Sequence, residues 1–281
     1  MAADNHHTAA LANLAGTLVL VGAGKMGGAM LQGWLRLGLD PARAIVFEPQ
    51  PSADIAALAG RGARLNPAPS GTSAPAAMVI AVKPQSASDV IPNVASLAGP
   101  GTVVVSIMAG KTLTVLESLL PPGSAVVRSM PNTPAAIGRG ITVAVANARV
   151  TAGQRDLANS LLAATGMVEW VEDEALLDPV TAVSGSGPAY VFLLTEALAR
   201  AGEAAGLPAP LAAKLACETV AGSGELMRQS DIDPAVLRQN VTSPGGTTAA
   251  ALEVLMSQDG LAALMERAVA AATRRSRELA G

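Results

Sequence analysis

Two glycine-bearing segments place free backbone amides where a helix begins, and both could hold an anion. The first, Leu18-Val-Leu-Val-Gly22-Ala23-Gly24-Lys25-Met26-Gly27, follows an apolar strand directly and opens a helical pattern. In such a GxGxxG turn, Gly22 permits the tight turn, Gly24 lets the backbone approach a pyrophosphate, and Gly27 lets the helix pack on the strand. Amides at the helix start, with the positive end of its dipole, would hold the phosphates. A glycine turn chosen only for packing is the competing reading in a chain with 28 glycines. The second segment, Thr242-Ser243-Pro244-Gly245-Gly246-Thr247-Thr248, sets hydroxyls beside unpaired amides, which suits a small carboxylate. The same residues equally fit a helix cap with a glycine hinge.

Other candidates lie at predicted strand ends, where ligands of open α/β sheets bind. Glu48 ends the second strand, where a carboxylate would bond ribose hydroxyls and repel a 2′-phosphate; the residue weakly favours NADH over NADPH, and a solvent-facing glutamate is the alternative. Val82-Lys83-Pro84, the SIMAG run containing Ala109, and Met130-Pro131-Asn132 would face a nicotinamide. Lys83 could place a positive charge there or be a solvated surface lysine. Ser184 and Ser186 of the SGSGP loop are further hydroxyl candidates.

The elements that must carry these residues fall into two groups. Runs at 18–21, 44–47, 78–82, 102–107, 125–128 and 141–145 read as strands, several of them apolar throughout, as in parallel sheets covered on both faces. Amphipathic stretches at 26–37, 53–59, 86–97, 113–120 and 154–164 separate them, and 167–171 could add a final strand. This alternation predicts an α/β, Rossmann-like doubly wound sheet over residues 17–172. Segment 66–77 reads as a loop plus a short helix. From 173 to 281 the pattern is all helical, at 176–183, 189–205, 209–228, 235–240, 247–257 and 261–279. Residues 1–16, with His6 and His7, read as a frayed, disordered leader.

Composition narrows the function classes. The chain has 281 residues, a net charge of −3 and 50% hydrophobic residues, so it can bury a core and is not intrinsically disordered. With 19 basic against 22 acidic residues and no long basic run, electrostatic nucleic-acid binding is not expected. One cysteine excludes an internal disulfide and a CxxC metal site, and no metal site is expected. Apolar runs are too short to cross a bilayer and no signal peptide is evident, which predicts a cytoplasmic protein without membrane partners. Apolar residues on more than one face of 189–228 predict a homo-oligomer.

GAGKMGGAM, VKPQ, SIMAG, MPNTPAAIGRG, AVSGSGPAY and NVTSPGGTT, in this order and spacing, resemble pyrroline-5-carboxylate reductase, the last enzyme of proline biosynthesis. The resemblance spans about Thr17 to Leu279. It implies a Rossmann domain and a helical domain through which two subunits interlock, often with the dimers assembled further into a decamer. It also implies hydride transfer from NADPH or NADH to 1-pyrroline-5-carboxylate. The cradle residues Gly22, Ala23, Gly24, Lys25, Met26 and Gly27 would hold the pyrophosphate, and Val82, Lys83, Pro84, Ala109 and Asn132 would flank the ribose and nicotinamide. Ser243, Gly245, Gly246 and Thr247 would clasp the substrate carboxylate. Thr248 would direct its hydroxyl at the ring nitrogen, with Thr248 and Lys83 as the catalytic candidates. Two departures stand out: the adenosine-ribose end, where family members often carry Ser, Arg or Asn, reads Glu48-Pro49-Gln50-Pro51-Ser52 here, and Pro69 stands for an Asn frequent in the loop before VKP. A hydroxy-acid dehydrogenase on the same plan would need a lysine on the first helix of the second domain, and 189–205 has none. A non-catalytic nucleotide sensor is the remaining alternative.

Overall fold

The computed structural model describes residues 11–69 and 73–280. The first half builds one sheet from β1 (Leu18–Val21), β2 (Ala44–Phe47), β3 (Arg64–Leu65), β4 (Ala77–Ile80), β5 (Val103–Ser106), β6 (Ala125–Met130), β7 (Gly140–Ala146) and β8 (Gly166–Trp170). Their order is β3-β2-β1-β4-β5-β6-β7-β8. All neighbours are parallel except β6 and β7. The mostly parallel sheet is the doubly wound architecture expected, with one antiparallel pairing that the alternation of strands and helices did not specify. The link from Pro131 to Arg139 holds only a 3-10 turn (Thr133–Ile137), too short for a parallel crossover, so the chain turns back on itself.

Period-two alternation explains why the central strands are apolar throughout. Leu18, Leu20, Ala44, Val46, Val79 and Val105 enter one core, and Val19, Val21, Ile45, Met78, Ile80 and Val104 enter the other. Helices α1 (Lys25–Arg36) and α5 (Ala152–Ala163) cover the first face, and α3 (Ala87–Val94) and α4 (Leu113–Ser118) the second; α2 (Ala53–Ala57) is a short link. Trp34 on α1 is fully buried and its indole N–H donates to the Leu161 carbonyl at 2.8 Å, so its one polar atom is satisfied inside the core.

Leu11 and Leu14 are buried in the same core, so the expected frayed leader is ordered from Leu11 onward. Arg43 fastens it, donating to the carbonyls of Leu14 and Gly16. His6 and His7 lie outside the described residues, as do residues 70–72 of the loop expected at 66–77. The helix expected at 176–183 is three shorter pieces: a 3-10 turn (Glu174–Leu176), α6 (Leu177–Val180) and a π turn (Thr181–Gly185).

Two compact units divide the chain. One runs to Gly185 and takes in the chain from Thr273; the other is Ser186–Ala272. The first continues past the expected boundary at residue 172 because Leu177 packs on Val143 and Val145. It includes the C-terminal turns because the Ser276 hydroxyl, nearly buried, donates to Asp178 Oδ1 at 2.7 Å. The second unit contains α7 (Gly187–Ala204), α8 (Ala209–Gln229), α9 (Pro234–Asn240), α10 (Thr247–Leu255) and the start of α11 (Leu261–Ala280). Ala212 and Ala216 of α8 are the buried apolar residues of this unit. Gly202 allows the α7–α8 approach, since a Cβ there would sit 3.3 Å from Ala212 Cβ.

Candidate active site

The switch point of the sheet lies between β1 and β4, whose neighbours run off in opposite directions. Register aligns the strand ends there: Val21 stands opposite both Phe47 and Ile80, and Ile80 opposite Ser106. The GAGKMG turn, the VKP loop and the SIMAG loop therefore leave the sheet at one level.

Packing accounts for two of the cradle glycines. Gly22 has φ +92° and a Cβ there would stand 2.8 Å from the Ala81 carbonyl oxygen. A Cβ on Gly27 would fall well inside contact distance of the Gly22 carbonyl oxygen. Gly24 is different. It is exposed, has ordinary extended backbone angles, and a Cβ there would meet nothing within 4 Å. It caps α1 without a side-chain hydrogen bond, and the first turn carries no acidic residue. The open space lies in front of free helix amides, which is the shape a pyrophosphate requires. The residues present fit a dinucleotide.

Glu48 is not solvent-facing. Its Oε2 accepts from the Ala23 N–H at 2.8 Å and its Oε1 from the Gln50 N–H at 3.0 Å. Asn66 fixes the backbone beneath it: its Oδ1 accepts from the Glu48 N–H at 2.8 Å and its Nδ2 donates to the Glu48 carbonyl at 2.9 Å. Asn66 adopts φ +47°, a left-handed conformation that asparagine tolerates. Sequence reasoning gave it no role. An asparagine before the VKP strand therefore does exist, three residues upstream of Pro69.

Lys83 is exposed, and its ammonium group has no partner among the described residues. Pro84 opens the 3-10 turn beyond it and fixes the departure from β4. Val82 is half-buried and Ala109 exposed. Asn132 carries a structural duty, its Oδ1 accepting from the Ile141 N–H at 3.0 Å.

In the second unit, α10 begins at Gly246 with no side-chain cap. Gly245 takes φ +69°, and the Gly246 N–H donates to the Ser243 carbonyl at 3.0 Å, which closes the turn. The hydroxyls of Ser243, Thr247 and Thr248 make no hydrogen bond among the described residues. Ser243, Gly245 and Thr247 are exposed and Gly246 and Thr248 half-buried. Amides and hydroxyls are thus both available to an anion.

No cluster of three or more metal-ligating side chains occurs among the described residues. No described helix is long and apolar enough to cross a membrane.

A dinucleotide cradle at the switch point of such a sheet, followed by a helical region, defines an NAD(P)H-dependent oxidoreductase. Residues 17–110 match the family described as NADP oxidoreductase coenzyme F420-dependent, and residues 174–279 match pyrroline-5-carboxylate reductase dimerisation. The chain belongs to the pyrroline-5-carboxylate reductase family. It is 40% identical to the pyrroline-5-carboxylate reductase of Pseudomonas aeruginosa, over 94% of this chain and 96% of that one. The solved pyrroline-5-carboxylate reductase of Coxiella burnetii superposes with a TM-score of 0.86 at 34% identity, covering 95% of this chain and 99% of that one. The Plasmodium falciparum pyrroline carboxylate reductase with NADP bound superposes with a TM-score of 0.79 at 28% identity, covering 94% and 98%.

Proposed function

We propose that this chain reduces 1-pyrroline-5-carboxylate to L-proline, with the nucleotide on the GAGKMG turn and the substrate carboxylate on the Ser243–Thr248 turn. The observation that carries this reading is the uncapped start of α10, where three hydroxyls and the helix amides stand without partners. A cap would have used them.

When bound, the reduced nicotinamide supplies a hydride to the imine carbon, C5. Hydride addition to a cyclic imine needs no strong side-chain acid, since the ring nitrogen can arrive protonated and the iminium carbon is already electrophilic. The protein's task is to orient and to exclude water. Gly24, Lys25, Met26 and Gly27 hold the pyrophosphate; Gly22 shapes the turn, since its amide and that of Ala23, expected among the cradle residues, are taken by Phe47 and Glu48. Val82, Lys83, Pro84 and Ala109 border the nicotinamide riboside. Ser243, Gly245, Gly246 and Thr247 bind the carboxylate, and the Thr248 hydroxyl faces the ring nitrogen. Removing that hydroxyl in Thr248→Ala is expected to lower kcat about tenfold, the scale of one hydrogen bond, while leaving the melting temperature within a few degrees. Unchanged kcat and KM would remove Thr248 from the assignment.

Glu48 favours NADH. Both its oxygens lie on backbone amides at the edge of the cradle, so a 2′-phosphate placed there would meet a fixed negative charge. Parallel assays with 1-pyrroline-5-carboxylate test both claims. Wild type is expected to oxidise NADH with the higher kcat/KM, and Glu48→Ser is expected to shift the NADPH/NADH ratio about tenfold towards NADPH. No oxidation of either nucleotide would overturn the reductase reading, and an unmoved ratio would overturn the role of Glu48.

The working form is a homodimer built through the helical unit; a cytoplasmic location and a decamer of such dimers are what the resemblance implies. The apolar faces of that unit support the dimer: Phe192, Leu193, Leu211, Leu226 and Val254 are all exposed. A groove of about 670 Å³ beside Val191, Phe192, Ala213 and Val220 adds to the surface a second copy would cover. A monomer by light scattering at micromolar concentration would contradict the dimer.

A further inference from the structure

Hydride transfer depends on loops from separate strands keeping fixed positions, and one carboxylate outside the cradle joins two of them. Glu174 Oε1 accepts from Arg128 Nη1 at 2.7 Å and from the Leu113 N–H at 2.7 Å. Arg128 lies on β6, two residues before Met130, where the loop carrying Asn132 begins. Leu113 opens α4, three residues after Gly110 of the SIMAG loop. Beneath the pair, Leu113, Met130 and Val180 pack on Val143, Val145 and Leu177. Glu174 also starts the segment that turns through α6 into the π turn Thr181–Gly185. That turn closes on the same loop, because a Cβ on Gly185 would collide with Met130 Cε. π turns are uncommon and concentrate at functional sites.

The pair is an expensive way to fill this space. The Arg128 side chain is 5% exposed and that of Glu174 28%. Arg128 Nε is buried with no hydrogen-bond partner. Well-packed apolar residues of similar volume commonly serve stability as well as a buried ion pair does, or better. What they lack is directionality towards both Arg128 and the Leu113 amide.

We propose that Glu174 is a positioning residue: through Arg128 and the Leu113 amide its carboxylate holds the loops after β5 and β6 in register at the nicotinamide end. The proposal rests on the reading of those loops as the cofactor site. Displacements near 1 Å in such a site can cost orders of magnitude in rate.

The test compares wild type, Glu174→Gln and the double variant Arg128→Met/Glu174→Leu as full-length protein. Three quantities are read: melting temperature, affinity for ADP-ribose (which lacks the nicotinamide) and kcat for NADH oxidation with 1-pyrroline-5-carboxylate. Glu174→Gln leaves a buried guanidinium without its counter-charge and is expected to melt earlier. The double variant removes that charge, so its melting temperature is expected to rise from that of Glu174→Gln towards wild type, short of it by the lost acceptor of the Leu113 amide, and its ADP-ribose affinity to match wild type, while kcat stays about tenfold or more below wild type. Recovery of kcat together with melting temperature would reduce the pair to a purely structural role and overturn the proposal. A wild type that binds no ADP-ribose and oxidises no NADH would overturn the cofactor-site reading, and the positioning role with it.

Discussion

Gly24→Val is expected to abolish useful nucleotide binding while leaving the fold intact. The backbone at Gly24 has φ −65° and ψ −161°, extended and outside the left-handed region that demands glycine. No protein atom stands within 4 Å of the position its Cβ would take. The side chain therefore enters open space at the N-cap of α1. If a pyrophosphate occupies that space, the isopropyl group excludes it and the loss should reach about 100-fold in Kd or more, equivalent to about 2.7 kcal/mol. Fluorescence titration with NADH reads the affinity, and thermal denaturation should show a midpoint within a few degrees of wild type. Equal affinity in the variant would move the nucleotide away from this turn. Gly27 cannot serve the same purpose, because a Cβ there runs into the Gly22 carbonyl and folding would be lost with binding.

Gly246→Val is expected to remove substrate binding selectively. Gly246 has φ −80° and ψ 174°, again compatible with valine. Its Cβ would approach the Ser243 carbonyl oxygen to 3.1 Å, so that carbonyl must give by a few tenths of an ångström. The remainder of the side chain would cover the amides that open α10. Calorimetry with L-proline should show affinity falling about 100-fold or more, while NADH binding stays within about twofold. Parallel loss of both ligands would mean that the substitution damages the fold, and retention of both would place the carboxylate elsewhere.

Where the information is local, the sequence was readable. β1 and β2 occupy the expected 18–21 and 44–47, and the strand–turn–helix around Gly22–Gly27 forms as its spacing requires. The start of α10 is likewise set by Ser243-Pro-Gly-Gly246. Features that depend on distant partners were not readable. Glu48 could be placed at a strand end, but its bond to Ala23 follows from the β1–β2 register and its support from Asn66 from the β2–β3 pairing, and the two-residue strand β3 gave no periodic signal of its own. Arg128 and Glu174 are 46 positions apart, and nothing in either local pattern links them. The antiparallel β7 had a signal that went unused, since the nine residues from Pro131 to Arg139 leave no room for a crossover helix. At the N-terminus, Leu11 and Leu14 lie in an alanine-rich stretch without periodicity, yet they bury against the sheet core as part of the first unit. Thr151 and Gln154 carry a local signal of their own: a capping box in which each side chain satisfies the other's backbone starts α5 at Ala152, two residues before the expected 154.

The most direct examination of the account is a crystal structure of the protein grown with L-proline and oxidised nucleotide together. The proline carboxylate is expected on the amides and hydroxyls of Ser243–Thr248, the ring nitrogen within hydrogen-bond reach of the Thr248 hydroxyl, and the pyrophosphate over Gly24. Proline bound away from residues 243–248, or a nucleotide whose nicotinamide end points away from the proline ring, would contradict it.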